Sequence, residues 1–329
     1  MNALSALLPD FDARYVFILP WTENLAVTGS WMLMGFFVAA ACGLVGNYLM
    51  LRRMALMGDA VSHSVLPGLV IAFLLTGSRS TGAMFLGALL AGVATAVIVE
   101  TIHRKTRVKQ DASIGVTFTT LFAIGVVLVS IYSSQIDLDA ECVLYGEIGF
   151  LPPLPSFASL VGFEKWAALP TALVRMGGVL LLVGALIAIF YKELLVSSFD
   201  PGLARSLGIN TTAMHYGLML VLSVVVVSAF EAVGSILVVA MLILPGATAS
   251  LLTTRLARVH ALSLAHAAVS AVLGVHLALA LGCQIGPAMV VAGAGLFTVA
   301  WIFSPTQGLL RRWRSGSELA LLTPRHPRE

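Results

Sequence analysis

The chain alternates long apolar runs with short polar or basic interruptions. The runs fall at about 30–51, 54–76, 82–102, 112–131, 171–191, 214–230, 233–252, 260–281 and 286–303. A bilayer core of about 30 Å is crossed by roughly 17–25 apolar residues in a helix. Each run meets that length, and only helices or closed barrels satisfy their backbone polar groups inside lipid. The pattern therefore predicts an all-α, polytopic helical membrane protein with about eight to nine transmembrane helices. Short or re-entrant pieces mislead hydropathy, so eight to ten spans are compatible with the pattern.

Composition strengthens this reading. Of 329 residues, 59% are hydrophobic and 11% charged, with a mean hydropathy of +0.97. A soluble domain carries about a quarter of its residues as charges. Thirty glycines suit close helix approach in lipid. Cys42, Cys142 and Cys283 stand apart with no CxxC spacing, which supports neither a disulfide framework nor a zinc finger.

Three regions are expected. Residues 1–29 mix apolar positions with Asp10, Asp12, Arg14 and Glu23 and suit an extracytoplasmic or interfacial segment. Residues 30–303 form the transmembrane domain, and 304–329 a basic tail. No removable signal peptide is expected, because a basic start and a short apolar core with a cleavage site are lacking.

Charge orients the spans. With the N-terminus outside, all nineteen Lys and Arg except Arg14, Arg79, Lys165 and Arg175 fall in cytoplasmic segments, including the run His103-Arg104-Lys105-Thr106-Arg107-Val108-Lys109. Positive charge favours the cytoplasmic side, so the tail is expected inside.

The stretch Met54–Gly68, MALMGDAVSHSVLPG, carries the first candidate chemistry. Asp59 and His63 are four apart, hence on one helical face of an apolar run. Ionisable groups in a span are costly and usually face a bundle interior or an aqueous path. One oxygen and one nitrogen donor suit manganese, iron or zinc. Mutual neutralisation, or an acid at a helix start, accounts for the pair equally well.

Other polar positions carry weaker signals. Glu231, beside Gly234, lies either on the outer part of a path or at the interface. Asp137, Asp139, Glu141 and Glu147, in the proline-broken region 132–170, either concentrate cations or form a solvated loop. His266 and His276 are expected as packing residues. The triplets Leu66-Pro67-Gly68 and Leu244-Pro245-Gly246 are expected to interrupt two spans of opposite direction.

A second stretch, Ser198–Ile209, is framed as a helix of about two turns. Asp200 suits the N-cap, Pro201 the first helical position and Gly208 the position just past the end. Leu203 and Leu207 share a face, which suits either a partner's groove or packing against its own bundle.

RRMALMGDAVSHSVLPG, LYGEIGF, SFDPGLARSLGI and EAVGSILVVAMLILPGATA, in that order, resemble the membrane permease family of manganese, zinc and iron ABC importers, the ABC-3 type of metal permease. The resemblance covers about Gly35 to Phe303. It implies a fold similar to the vitamin B12 importer type and a pathway formed with a second permease subunit, identical or related. It implies that Asp59 and His63 contribute to the cation path. It also implies that Asp200, Pro201, Leu203, Ala204, Leu207 and Gly208 belong to a coupling helix seated on a nucleotide-binding ATPase subunit.

The function so implied is that of a permease subunit in a bacterial inner membrane. It takes Mn2+, Zn2+ or Fe2+ from an extracytoplasmic binding protein and binds no cofactor permanently, while the partner subunit uses ATP. No catalytic residues are expected, since the chain has neither the P-loop GxxxxGK[ST] nor the metalloprotease HExxH. The alternative is an ATP-independent secondary cation transporter or channel. The metal and the makeup of the permease pair are open at this stage.

Overall fold

The computed structural model describes residues 12–77, 81–132, 148–155, 169–304 and 308. Among them all regular structure is helical. A π-helical turn (Arg14–Ile18) and a 3-10 turn (Leu19–Trp21) precede α1 (Leu25–Leu51), α2 (Met57–Thr76), α3 (Thr81–Lys105) and α4 (Gln110–Ile131). A 3-10 turn (Ile148–Phe150) is followed by α5 (Thr171–Ile189), α6 (Tyr191–Phe199), α7 (Pro201–Ser206), α8 (Thr211–Leu252), α9 (Leu256–Leu281) and α10 (Ile285–Phe303). Eight helical stretches have the length and composition to cross a membrane, and the apolar Leu237–Leu252 is a shorter ninth, among the described residues. The chain is a multi-pass membrane protein.

Helix α1 is the axis of the bundle, touching α5, α8 and α9. Its residues Ala39, Ala40, Ala41, Cys42, Gly43 and Gly46 are buried, and their smallness is what brings the neighbours close. A Cβ on Gly46 would enter the Leu242 carbonyl, and one on Gly43 would meet Pro245. Without a hydrophobic driving force between helices in lipid, such close packing supplies much of the association. The three-helix flank of α2, α3 and α4 uses the same device, with Gly68 and Gly87 backbone to backbone.

Neither proline triplet breaks its helix. Pro67 lies inside continuous α2 and Pro245 inside the second half of α8, Leu237–Leu252, and each ring faces a glycine, Gly125 or Gly43, that makes room for it.

Helix α8 contains a sharp turn at Gly234. Gly234 has φ 75° and ψ 168°, outside helical geometry, and only glycine adopts that region cheaply. Before it, α8 runs antiparallel to α3, with His215 at Glu100 and Ser223 at Gly92. Beyond it, α8 runs parallel to α10. Leu237 packs over Gly286, Leu244 over Gly293, and the Ser304 hydroxyl donates to the Leu251 carbonyl at 2.6 Å. The two halves therefore run in opposite directions through the bundle.

One end of the bundle gathers Arg52, Arg53, Arg104, Lys105, Arg107, Lys109, Lys192, Arg205, Arg255 and Arg258. At the opposite end the chain returns after Phe150 and the Leu154 N–H donates to the Ala26 carbonyl at 2.7 Å. There the N-terminal turns pack on α9, where Trp21 Nε1 donates to His276 Nε2 at 3.0 Å. His266 Nε2 bonds the Gly293 carbonyl at 3.2 Å.

Candidate functional site

At the basic end α1 stops at Leu51, and the turn to α2 passes through Arg53 at φ 58°. Met57 opens α2, so Asp59 stands in its first turn, where a carboxylate is favoured by the helix dipole. One turn further, His63 Nε2 faces Asp59 Oδ1 at 3.3 Å. The two side chains are 27% and 32% exposed for His63 and Asp59, so one side of the pair is open. The other side is walled by α4, where Phe122 stands edge-on to the His63 ring at 5.6 Å and Phe118 lies at 5.9 Å.

Among the described residues no group of three or more His, Cys, Asp or Glu could hold a metal ion. Asp59 Oδ1 and His63 Nε2 are engaged with each other, and the contact leaves His63 Nδ1 and the second Asp59 oxygen outside it. The acids Asp137, Asp139, Glu141 and Glu147 lie outside the described residues. So does the Glu231 side chain, although its backbone is in α8 three residues before Gly234.

The second stretch folds around its own caps. Asp200 Oδ1 accepts from the backbone N–H of Gly202 and Leu203 at 2.9 and 3.0 Å, with Pro201 in the first turn of α7. Gly208, at φ 80°, closes it, and the N–H groups of Gly208 and Ile209 return to the carbonyls of Arg205 and Ala204. Ala204 is buried, whereas Leu203 and Leu207 are 50% and 62% exposed at the basic end. Packing against its own bundle accounts for Ala204 and leaves both leucines free. Arg52 ties the arm before α7 to the end of α1, donating through Nε to Ser198 and through an Nη to Ser197, each at 3.0 Å.

One buried cluster escapes the sequence reading. Glu100, near the end of α3, is 6% exposed and takes Arg104 on one oxygen, with His215 Nε2 3.1 Å from the other. The legible half of this signal is an acid four residues before an arginine inside an apolar run; the contact with α8 is not local and leaves no spacing to read.

These features define a polytopic helical transport protein with an ionisable pair set in one span and a capped helix presented at its basic end. The chain belongs to the ABC 3 transport family, which matches residues 26–153 and 167–304. It is 43% identical over 280 residues to the manganese transport system membrane protein MntD of Bacillus subtilis, covering 84% of this chain and 92% of that one. It is 41% identical over 281 residues to the zinc transport system membrane protein TroD of Treponema pallidum, covering 85% and 75%. The solved structure of PsaBC from Streptococcus pneumoniae in complex with Fab superposes with a TM-score of 0.72 at 32% identity, covering 92% of this chain and 99% of that one.

Proposed function

We propose that this chain is the permease subunit of an ATP-driven importer of divalent transition-metal cations, with Asp59 and His63 in the ion's path. The observation that carries this reading is the pair itself: a carboxylate and an imidazole 3.3 Å apart in an apolar span, part-exposed on one side and aromatic on the other. Relatives named for manganese and for zinc transport support the cation class. Two borderline donors from one chain replace only part of a hydration shell, which suits a site that must also release its ion.

In this reading the basic end is cytoplasmic, the N-terminal segment 1–29 lies outside and the tail 304–329 inside, in a bacterial inner membrane. An extracytoplasmic binding protein delivers Mn2+, Zn2+ or Fe2+ to the outer end. A second permease subunit completes the pathway, and Glu231 lies along its outer part. The segment 198–209, through Asp200, Pro201, Leu203, Ala204, Leu207 and Gly208, docks on a nucleotide-binding ATPase. Hydrolysis there switches access across the domain 30–303.

The test is total cellular manganese, zinc and iron under metal limitation, with the intact chain, with Asp59→Asn and with the chain deleted. A fall in the same metal in the substituted and deleted strains is the expected result. A deletion that changes none of the three would overturn the reading.

A further inference from the structure

Glu100 is a buried acid that the proposed path leaves unused. A carboxylate in an apolar span is tolerated only when its oxygens are satisfied. Arg104, on the same helix one turn away, neutralises the charge and satisfies one oxygen. The other oxygen faces His215, which belongs to α8 and is 13% exposed. Neutralising Glu100 does not require this second partner, and the contact fixes α3 against α8.

The place of that contact matters. Only Leu207 to Asn210 separate α7 from α8, and Asn210 caps α8 by accepting from the Ala213 N–H at 3.0 Å. His215 is then in the second turn of α8, so a displacement of α7 reaches it through a short, capped connection. On α3, five residues beyond Glu100 toward the opposite end, Thr95 donates its hydroxyl to Ser64 Oγ at 2.5 Å, and both are fully buried. Ser64 is the neighbour of His63. Gly92 sits where Ser223 of α8 and Val61 of α2 converge. Small and apolar groups do not by themselves fix register between packed helices, whereas a directed polar pair does.

We propose that Glu100 and His215 form a positioning contact that carries movement of α7 through α3 to α2, and so to Asp59 and His63. The inference rests on reading α7 as the ATPase contact. The pair does not touch the ion. It makes hydrolysis productive by moving α3, with α2 packed on it, and α8 as one body.

The test places the full chain, with its ATPase subunit, binding protein and second permease subunit, in proteoliposomes. ATP hydrolysis and uptake of Mn2+, with Zn2+ in parallel, are measured in the same vesicles for Glu100→Gln, His215→Gln and the double variant. Allosteric couplings are commonly 5–150-fold, so ions moved per ATP are expected to fall by roughly tenfold while hydrolysis stays within about twofold. The double variant is expected to be no worse than either single one, as for two residues acting as a unit. An unchanged ratio of ions to ATP in both single variants would overturn the inference, as would a proportional fall of both activities. Loss of assembly in both would do so too, because the pair would then serve folding alone. If the unsubstituted complex shows no ATP-driven uptake of either ion, the importer reading itself falls and takes the inference with it. Normal uptake by that complex isolates failure of the inference.

Discussion

His63 Nε2 points at Asp59 Oδ1 across 3.3 Å, one helical turn along α2. The contact orients the imidazole and leaves its Nδ1 facing away from the acid. A carboxylate hydrogen-bonded to an imidazole fixes its tautomer and ring orientation, so the pair is ordered by its own contact. The first-turn position of Asp59 satisfies the helix dipole as well.

Asp59→Asn keeps side-chain volume and hydrogen bonding while removing the charge. It is expected to cut metal uptake by at least about tenfold, the loss of roughly 1.4 kcal/mol or more of interaction with the cation. His63→Ala is expected to do the same. Uptake is measured with membrane abundance and complex assembly held equal. Normal uptake in both variants would remove the pair from the path.

Leu203→Asp puts a charge on the exposed face of α7 without disturbing the Asp200 cap or the buried Ala204. It is expected to release the nucleotide-binding subunit, read as lost co-purification in mild detergent, while the permease stays folded. Asp200→Ala removes the cap and costs about 1 kcal/mol of helix stability, so partial release is expected. Undiminished co-purification of Leu203→Asp would count against docking at α7.

Much of the architecture is legible because the bilayer imposes it: Leu25–Leu51 and Leu256–Leu281 announce themselves by length and apolarity. The caps of α7 are legible because Asp200, Pro201 and Gly208 act locally. The Glu100–His215 contact is not, since nothing near Glu100 says which helix will face its second oxygen. The packing of Pro245 against Gly43 is hidden for the same reason. Read in sequence alone the proline is a break, and the glycine that accommodates it belongs to another span.

Gly87→Leu tests the packing of the α2–α3–α4 flank. The two backbones meet at Gly68 and Gly87, and a side chain at position 87 has nowhere to go but into the Gly68 carbonyl and the Ala72 methyl. Overpacking of this kind costs about 1–3 kcal/mol. A lower unfolding midpoint in detergent is expected, with reduced uptake because α2 carries Asp59 and His63. Gly82→Leu is the control, since a Cβ at Gly82 meets nothing within 4 Å.

Gly234→Val tests the reversal within α8. At φ 75° a β-branched residue is strained, at a cost of about 1–3 kcal/mol. The second half of α8 then loses its angle, and with it the alignment of Leu237, Leu244 and Leu251 along α10. Lower thermal stability is expected, together with protease sensitivity between the two halves. Gly234→Ala is expected to show the smaller effect. Equal stability of all three proteins would mean that the turn does not depend on glycine.

The proposed direction of insertion rests on where the charges gather, and the chain's own cysteines make it measurable. Cys283 is exposed just after α9, at the end opposite the basic cluster, while Cys42 is buried in α1. With Cys142 replaced by serine, a membrane-impermeant thiol reagent added to cells with a permeabilised outer envelope is expected to label Cys283. A cysteine introduced at Arg107, in the turn between α3 and α4, is expected to label only after the inner membrane is opened. Ten Lys and Arg of the described helices and turns lie at the Arg107 end, against Arg14 and Arg175 at the other, and such a bias retains loops in the cytoplasm. Labelling of Arg107→Cys from outside, with Cys283 protected, would invert the whole assignment. It would put Leu203 and Leu207 beyond the reach of any cytoplasmic ATPase.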